Sequence, residues 1–334
     1  MTRLLIISHE HALLPFAFRA KKQGMEVEVL IGNPRYRAAW EGRLPKLDLP
    51  ASLAEQQDAV RALIAEQDVT VLTDSRQWTA ALGGCPRVHG VGPSEPTEHG
   101  PVELAVGGWW TGDGWSRRHV LLVERGLWTG GGGPLLPGAI LAVQPAEWPT
   151  AWEEALQRLE DRLKAASFLG LVQATIRLTP GGGWEHVGFE AGWSLFHAHA
   201  VLAGEDDSVA ELLAGSEEIR VAGRFAAVLP VSVPPWPHRA HAKEHPRPVE
   251  LPRELTRWVF FHDIVVEGVG LRTAGLGGLV GAARGVGRTA AGALLRAHAV
   301  AAQLQVAERQ YRSDGGQQVA QAWTGLVEAG LVEG

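Results

Sequence analysis

The chain has 334 residues, of which 46% are apolar and 20% charged, and its formal net charge is −6. This composition excludes an intrinsically disordered chain and supplies enough apolar side chains for a sizeable interior. The acidic balance, without a clustered Lys/Arg stripe, argues against a nucleic-acid partner. A length of this order indicates two or three domains.

The single cysteine, Cys85, cannot form an internal disulfide. The opening apolar run Arg3–Ile7 is shorter than the hydrophobic region of a signal peptide, and no apolar stretch is long enough to cross a bilayer. We therefore expect a cytoplasmic protein without a membrane partner. These features leave the oligomeric state open.

Short apolar runs alternate with amphipathic stretches in the first part of the chain. In order, these are a strand at Leu4–Ile7, a helix at Ala12–Gln23, a strand at Glu26–Ile31, a helix at Ser52–Glu66 and a strand at Val69–Thr73. This alternation predicts a doubly wound α/β domain over residues 1–95. The turn after the first strand is Ser8-His9-Glu10, so it lacks the glycine fingerprint of a dinucleotide site.

Strand and turn signals dominate the next part, residues 100–235. The predicted strands are Val102–Val106, His119–Glu124, Ala139–Val143, Leu169–Leu178, Glu185–Glu190 and Arg224–Val233. A helix is predicted over Thr150–Ala166, with Thr150 and Glu153 at the spacing of a capping box, and a short helix over Ser208–Ala214.

Residues 236–252 are rich in proline and predict a linker or extended arm. After them, residues 253–334 predict a β-rich domain that ends in one long helix, Thr289–Tyr311.

Three motifs occur in a fixed order along the chain. They are Glu10-His11-Ala12-Leu13, the glycine loop Thr129–Pro137 (TGGGGPLLP) and Tyr311-Arg312-Ser313-Asp314. Together they resemble the phosphoribosylamine–glycine ligase family of the ATP-grasp superfamily, over nearly the whole chain. The resemblance implies an α/β fold with an N-terminal doubly wound domain, a truncated ATP-grasp core and a small β-rich C-terminal domain.

The core is called truncated because one family segment has no counterpart. In the family, a lid subdomain with phosphate-binding lysines follows a Gly-Pro that resembles Gly92-Pro93. Here the chain passes almost at once to Val102–Val106, and no lysine lies between Lys46 and Lys164. The resemblance therefore implies a deleted lid, which would remove a charge clamp of the kind that dominates phosphoryl-transfer catalysis.

The resemblance also places the glycine loop beside the amino-acid and acyl-phosphate site. The predicted substrate-binding residues are Thr129, Gly130, Gly131 and Gly133 from the loop, with Glu10 and His11 from the first domain. Glycine allows backbone N–H groups to approach an anion closely because no Cβ intervenes. For a glycine run alone, the alternative is a plain flexible turn.

Glu190 matches the family carboxylate that binds the magnesium ions bridging the ATP phosphates. The family asparagine falls on Gly192 and the following arginine on Ser194. Because Mg²⁺ takes several hard oxygen ligands, Glu190 alone makes a poor metal site, and a leftover strand-end acid is the alternative. Mg²⁺ and ATP are expected as cofactors only if ligation is retained.

Two groups of histidines could in principle bind a metal ion: His197 with His199, and His238 with His241 and His245. Prolines flank the later group, so its three imidazoles are not expected to share one face of a helix as a zinc site. Solvated or core histidines are favoured.

The pair Trp109-Trp110 and the nearby Trp115 could stack a purine or sugar, or cover apolar surface exposed by the deletion. We favour the second interpretation.

The sequence favours a divergent phosphoribosylamine–glycine ligase relative with a degenerate active site and lost or altered ATP-dependent ligation. Its retained pocket would take a small phosphorylated sugar, nucleotide or amino acid. One alternative is a working carboxylate–amine ligase of purine biosynthesis, whose ATP is gripped by a partner chain or by Arg117, Arg118 and Arg125. Another is a non-catalytic interaction or assembly protein.

Overall fold

The computed structural model describes residues 3–332, apart from 11, 34–35, 37–38, 42, 48–51, 67, 84, 86, 96–101, 146, 180–183, 195, 204–208, 215–223, 239–245, 269 and 276. The described residues form a mixed α/β fold with sheets of four, nine and three strands. None of the helices described combines the length and the hydropathy that crossing a bilayer requires.

The first domain is built on a four-stranded parallel sheet, as the alternating pattern predicts. Its strands are β1 (Arg3–Ser8), β2 (Glu26–Ile31), β3 (Val69–Thr73) and β4 (Val88–His89). Its helices are α1 (Leu14–Lys22), α2 (Leu53–Glu66) and α3 (Arg76–Ala81). The strand order is β2-β1-β3-β4. The chain therefore adds β2 on one side of β1 and β3 on the other, so the strand order changes direction between β1 and β3. At such a point an open α/β sheet forms a crevice at the carboxyl ends of its strands.

The later strands belong to the other two sheets. In chain order they are β5 (Ser94–Glu95), β6 (Val102–Trp110), β7 (Trp115–Arg125), β8 (Pro137–Val143), β9 (Gly170–Leu178), β10 (Trp184–Ala191), β11 (Phe225–Ser232), β12 (Pro248–Val249), β13 (Val259–Phe261), β14 (Ile264–Glu267), β15 (Gly270–Thr273) and β16 (Leu279–Gly287). The nine-stranded sheet has the order β13-β16-β11-β8-β7-β6-β9-β10-β5, with antiparallel neighbours. The small sheet has the order β12-β15-β14.

Two of the later helices differ from the predicted ones. In chain order the later helices are α4 (Thr150–Gln157), α5 (Glu160–Ala165), α6 (His197–Ala203), α7 (Val209–Leu213), α8 (Ala290–Gln303) and α9 (Gln317–Glu328). The helix predicted over Thr150–Ala166 is thus two helices. Its N-cap is Pro149, which has no side-chain cap bond, so the predicted capping box is wrong. The long helix predicted at Thr289–Tyr311 ends at Gln303, and the sequence did not predict α9.

Sheet hydrogen bonds cross the predicted domain boundaries. β11 pairs with β16 from Phe225↔Gly287 to Ser232↔Leu279, so the predicted core and the C-terminal segment share one sheet. β12 lies inside the stretch predicted as a linker, and it pairs with β15. The boundaries of the domains themselves stay a prediction.

The nine-stranded sheet is buried on both faces. On one face, Leu121 and Ile140 belong to the same core as Phe16 of the first domain. On the other, Leu122 packs in a core with Trp152 of α4 and Trp323 of α9. Adjacent residues of a strand point to opposite faces. Trp109 and Trp110 follow this rule: each is buried in a different core, which supports the interpretation that they cover core surface.

Candidate functional site

A row of residues lies in direct register across five strands of the large sheet. His119 of β7 is opposite Gly107 of β6, which is opposite Gln173 of β9. Gln173 is in turn opposite Glu190 of β10, and Glu190 is opposite Ser94 of β5. Directly opposed cross-strand residues point to the same face of a sheet. The side chains of His119, Gln173 and Glu190 therefore form one polar row, here called the Glu190 row.

The Glu190 row is closed at one end and open at the other. His119 and Gln173 are buried, whereas Glu190 is exposed. Beside the closed end, Trp109 packs against Trp193 with ring centroids 5.6 Å apart and against His89 at 5.2 Å. Glu190 is therefore the member of the row that solvent reaches.

His119 is held as a neutral imidazole. Burial lowers the pKa of His119 to about 4. Its Nδ1–H donates to the carbonyl of Arg117 at 2.9 Å, which leaves Nε2 as an acceptor. Among the residues that the structure describes, neither this Nε2 nor the side-chain amide of Gln173 has a hydrogen-bond partner. Because buried polar groups normally are hydrogen-bonded, these unpaired atoms are an unusual feature of the row.

Gly107 makes room for this arrangement. A Cβ at residue 107 would lie 2.6 Å from the carbonyl oxygen of Val172 and 2.8 Å from Nε2 of His119. Any side chain at residue 107 would therefore clash with the backbone of β9 and displace the imidazole of His119.

The first domain meets the open end of the row through the carboxyl ends of β1 and β3. Ser8 Oγ donates to Asp74 at 2.6 Å, and the backbone N–H of His9 donates to the same carboxylate at 2.7 Å. Two residues beyond Asp74, Arg76 Nη2 donates to Ser94 Oγ at 2.7 Å. The crevice at β1 and β3 therefore adjoins the Glu190 row.

Of the predicted substrate residues of the first domain, Glu10 lies at this edge, directly after β1. His11 lies outside the described residues. Sequence reasoning missed Asp74, although a carboxylate directly after a buried strand is the signal that could have found it.

The row does not fit the magnesium ions that the resemblance implies. Within the described part of the chain, no group of three or more His, Cys, Asp or Glu residues could hold a metal ion. The register neighbours of Glu190 are the amide Gln173 and the hydroxyl Ser94, not carboxylates. At residue 192, φ is +127° and a Cβ would lie 3.1 Å from Val91 Cα, so the asparagine of the family would be strained there.

The glycine loop connects β7 to β8. Gly130, Gly131 and Gly133 have φ of 78°, 71° and 79°, the left-handed region in which glycine is unstrained. The N–H of Gly130 donates to Asp314 Oδ2 at 2.9 Å. Thr129 Oγ1 lies 3.1 Å from Ser313 Oγ. The loop does hold an anion, and that anion is a side chain of the same protein.

A buried ion pair supports the loop from below. Arg312 pairs with Glu124, and both side chains are almost fully buried. Arg312 Nη1 also donates to the carbonyls of Arg125 and Gly126, at 2.8 and 3.0 Å. Glu124 Oε2 accepts the N–H of Gly316 at 2.7 Å. Two of the motifs found in the sequence therefore meet in space, which the sequence did not predict.

The glycine loop and Glu190 do not share a pocket. The loop begins after Arg125, six residues along β7 from His119, and Glu190 lies three strands across from β7. At about 3.3 Å per residue and 4.8 Å per strand, the two are roughly 20 Å apart along the strands and about 14 Å apart across them. The loop and Glu190 therefore do not contribute to one pocket, because they lie at opposite ends of antiparallel strands. Substrate binding by the loop alone stays a prediction.

Neither a protein-family profile nor a curated protein matches the chain. Solved structures do match it. The phosphoribosylamine–glycine ligase of Thermotoga maritima is 15% identical, with a TM-score of 0.65 over 93% of this chain and 99% of that one. The biotin carboxylase domain of a single-chain bacterial carboxylase is 13% identical, with a TM-score of 0.57 over 99% and 98%.

The L-amino acid ligase of Bacillus licheniformis is 14% identical, with a TM-score of 0.51 over 91% of this chain and 98% of that one. At these identities the likeness concerns the fold alone. The chain has the fold of ATP-grasp ligases.

Proposed function

We propose that this protein is a divergent phosphoribosylamine–glycine-ligase-like protein that has lost or strongly altered ATP-dependent ligation and binds a small polar molecule at the Glu190 row. The observation that carries the proposal is the composition of the row: one exposed carboxylate stands with a buried amide and a neutral imidazole. Such groups recognise a ligand by hydrogen bonds, whereas a polyphosphate with its metal ions requires clustered charge. The ligand classes retained from the ligase ancestry are a small phosphorylated sugar, a nucleotide or an amino acid.

The distribution of cations supports this proposal. Only residues 96–101 connect Glu95 to β6, too few for a lid subdomain, and no lysine lies between Lys46 and Lys164. The arginines that could replace the lysines have other roles. Arg125 makes two bonds of 2.8 Å to the carboxylate of Glu103, Arg118 pairs with Glu153, and Arg117 is buried.

Calorimetry with ATP and Mg²⁺ tests the loss of nucleotide binding. We expect no binding tighter than about 1 mM, which corresponds to roughly 4 kcal/mol. A micromolar dissociation constant would contradict the proposal.

A working ligase is the second candidate, because Glu190 is exposed at the open end of the row. Its assay is phosphate release in a mixture of ATP, Mg²⁺, glycine and phosphoribosylamine. Glycine-dependent release that Glu190→Gln abolishes would establish this candidate. The matched control is Glu185→Gln, on the same strand, whose carboxylate pairs with Arg177 on the surface. We expect no release above background from the unmodified protein.

A further inference from the structure

A cavity of about 240 Å³ lies between the first domain and the C-terminal part of the chain. Residues of α1, the 3-10 helix Arg253–Trp258, β13 and β16 line it. β13 forms one edge of the nine-stranded sheet, and β10 and β5 lie at the other. The cavity is therefore separate from the Glu190 row.

The charged residues that line this cavity are all positive. Among the described lining residues there is no Asp or Glu, and the cations are Arg19, Lys22, Arg257 and Arg284. Two of the guanidinium groups bond to neutral carbonyls: Arg19 Nη1 donates to Leu202 at 2.8 Å, and Arg284 Nε donates to Arg257 at 3.0 Å. Burial, and then the charge of Arg43, lower the pKa of Lys22. A bound anion would offset this concentration of positive charge.

Aromatic rings form the apolar wall of the cavity. Phe18 and Trp40 pack with their centroids 4.5 Å apart, and Phe261 meets Trp40 edge-on at 6.5 Å. Lys22 Nζ lies 4.6 Å from the centroid of Phe18, and the guanidinium carbon of Arg284 lies 5.4 Å from that of Phe260. The cavity therefore combines cationic groups with flat apolar surfaces.

Trp40 is deeply buried in the same wall, with a side chain that is 2% exposed. Its φ of 59° is in the left-handed region, uncommon for a bulky residue. The backbone N–H of Trp40 donates to the carbonyl of Ile264 at 2.7 Å, which holds it there.

We infer that this cavity is a binding site for a small organic anion with a flat apolar body, such as an aromatic carboxylate or a phosphate monoester. The anionic group meets the cations Lys22 and Arg257, and the apolar body packs on the aromatic wall. The volume is below the range of drug-sized ligand sites, which favours a single small molecule over a whole nucleotide.

Calorimetric titration of the full chain with three probes tests this site. The probes are benzoate, phenyl phosphate and their neutral analogue benzamide. We expect at least one anion to bind, and benzamide to bind at least tenfold more weakly than that anion. The order of the two anions distinguishes a carboxylate ligand from a phosphate ligand. Equal binding of benzamide, or no binding of either anion at millimolar concentration, would overturn the inference.

Matched variants locate the binding. Lys22→Ala and Arg257→Ala should each weaken anion binding about tenfold or more. The controls Lys21→Ala and Arg253→Ala remove cations from the same helices without altering a lining residue. If the controls weaken binding as much as Lys22→Ala does, the anion binds to diffuse surface charge and the inference is wrong.

This test is independent of the proposed function, because Glu190 lies on β10, at the side of the sheet opposite β13. The variant Glu190→Gln should therefore leave binding of the anionic probes unchanged.

Discussion

The carboxylate of Asp314 accepts the backbone N–H of Gly130 at 2.9 Å, across 184 residues of sequence. The anion position of the glycine loop is thereby filled from within the protein. A phosphate or carboxylate ligand would have to compete with Asp314 for this amide, so the loop is better suited to closing the fold than to binding substrate.

Replacement of Asp314 by alanine should loosen the glycine loop. Hydrogen exchange of the Gly130 amide is expected to become faster, because its acceptor is lost. Asp113→Ala is a suitable control, since Asp113 lies in another exposed turn and bonds to Thr111. Unchanged protection of Gly130 would show that the bond does not order the loop.

Acid should loosen the loop in the same way. Burial alone would raise the pKa of Asp314, but hydrogen bonds, first from the Gly130 N–H, and the nearby Arg312 lower it below the ordinary value of 3.8. The folded state therefore binds this proton less readily than the unfolded state. The contribution of the carboxylate to stability is present above pH 3.8 and is lost as the pH falls through the lowered pKa. Protection of Gly130 measured against pH checks this direction.

Removal of one member of the buried Arg312–Glu124 pair should destabilise the protein strongly. Arg312→Met leaves the Glu124 carboxylate buried without its countercharge, for which a loss of about 3–5 kcal/mol in the free energy of unfolding is expected. Urea denaturation measures this loss. Arg177→Met breaks an exposed pair with Glu185 and should change stability by about 1 kcal/mol or less. Similar losses for the two variants would contradict the burial argument.

Three buried histidines should make the protein sensitive to acid. Burial lowers the pKa of His89 and His119 to about 4 and that of His199 to about 3. The pKa of histidine in an unfolded chain is near its ordinary value of 6.5, so unfolding takes up protons between these limits. Stability is therefore full above pH 6.5 and decreases as the pH falls toward 4, by about 1.4 kcal/mol per pH unit for each histidine.

Urea denaturation between pH 7.5 and pH 4.5 tests this dependence. In the variant His199→Phe, the free energy of unfolding should change less steeply with pH, by about 1.4 kcal/mol per pH unit, which is the contribution of one histidine. A free energy of unfolding that does not change with pH in this range would show that the histidines are not held neutral.

Trp110→Ala should lower the melting temperature by several degrees. The side chain is fully buried between the sheet and the helices, and large-to-small core substitutions of this kind cost about 3–5 kcal/mol. Trp128→Ala is the matched control, because Trp128 is 41% exposed beside the glycine loop. Equal shifts in the two variants would argue against the structural role of Trp110.

Local patterns in the sequence predicted the elements well. β2 and β3 have the predicted bounds. Each is a short, strand-favouring run that ends at a turn-favouring residue, Gly32 after β2 and Asp74 after β3, and such local signals act independently of the tertiary packing. The alternation of these elements also indicated the α/β class of the first domain. Local patterns did not predict the ends of two helices. The break after Gln157 and the end at Gln303 both lie inside continuous helix-favouring sequence, so no local signal marks them.

The sequence by itself therefore determined most of the strands and the helices of the first domain, and its motifs pointed to the fold that the solved structures share. Only the tertiary structure decided which motifs meet. Register placed His119, Gln173 and Glu190 in one row and brought Asp314, rather than a substrate, to Gly130. Elements form from neighbours along the chain. A site depends on which strands pair and in which register, and a shift of one residue would turn each of these side chains to the other face.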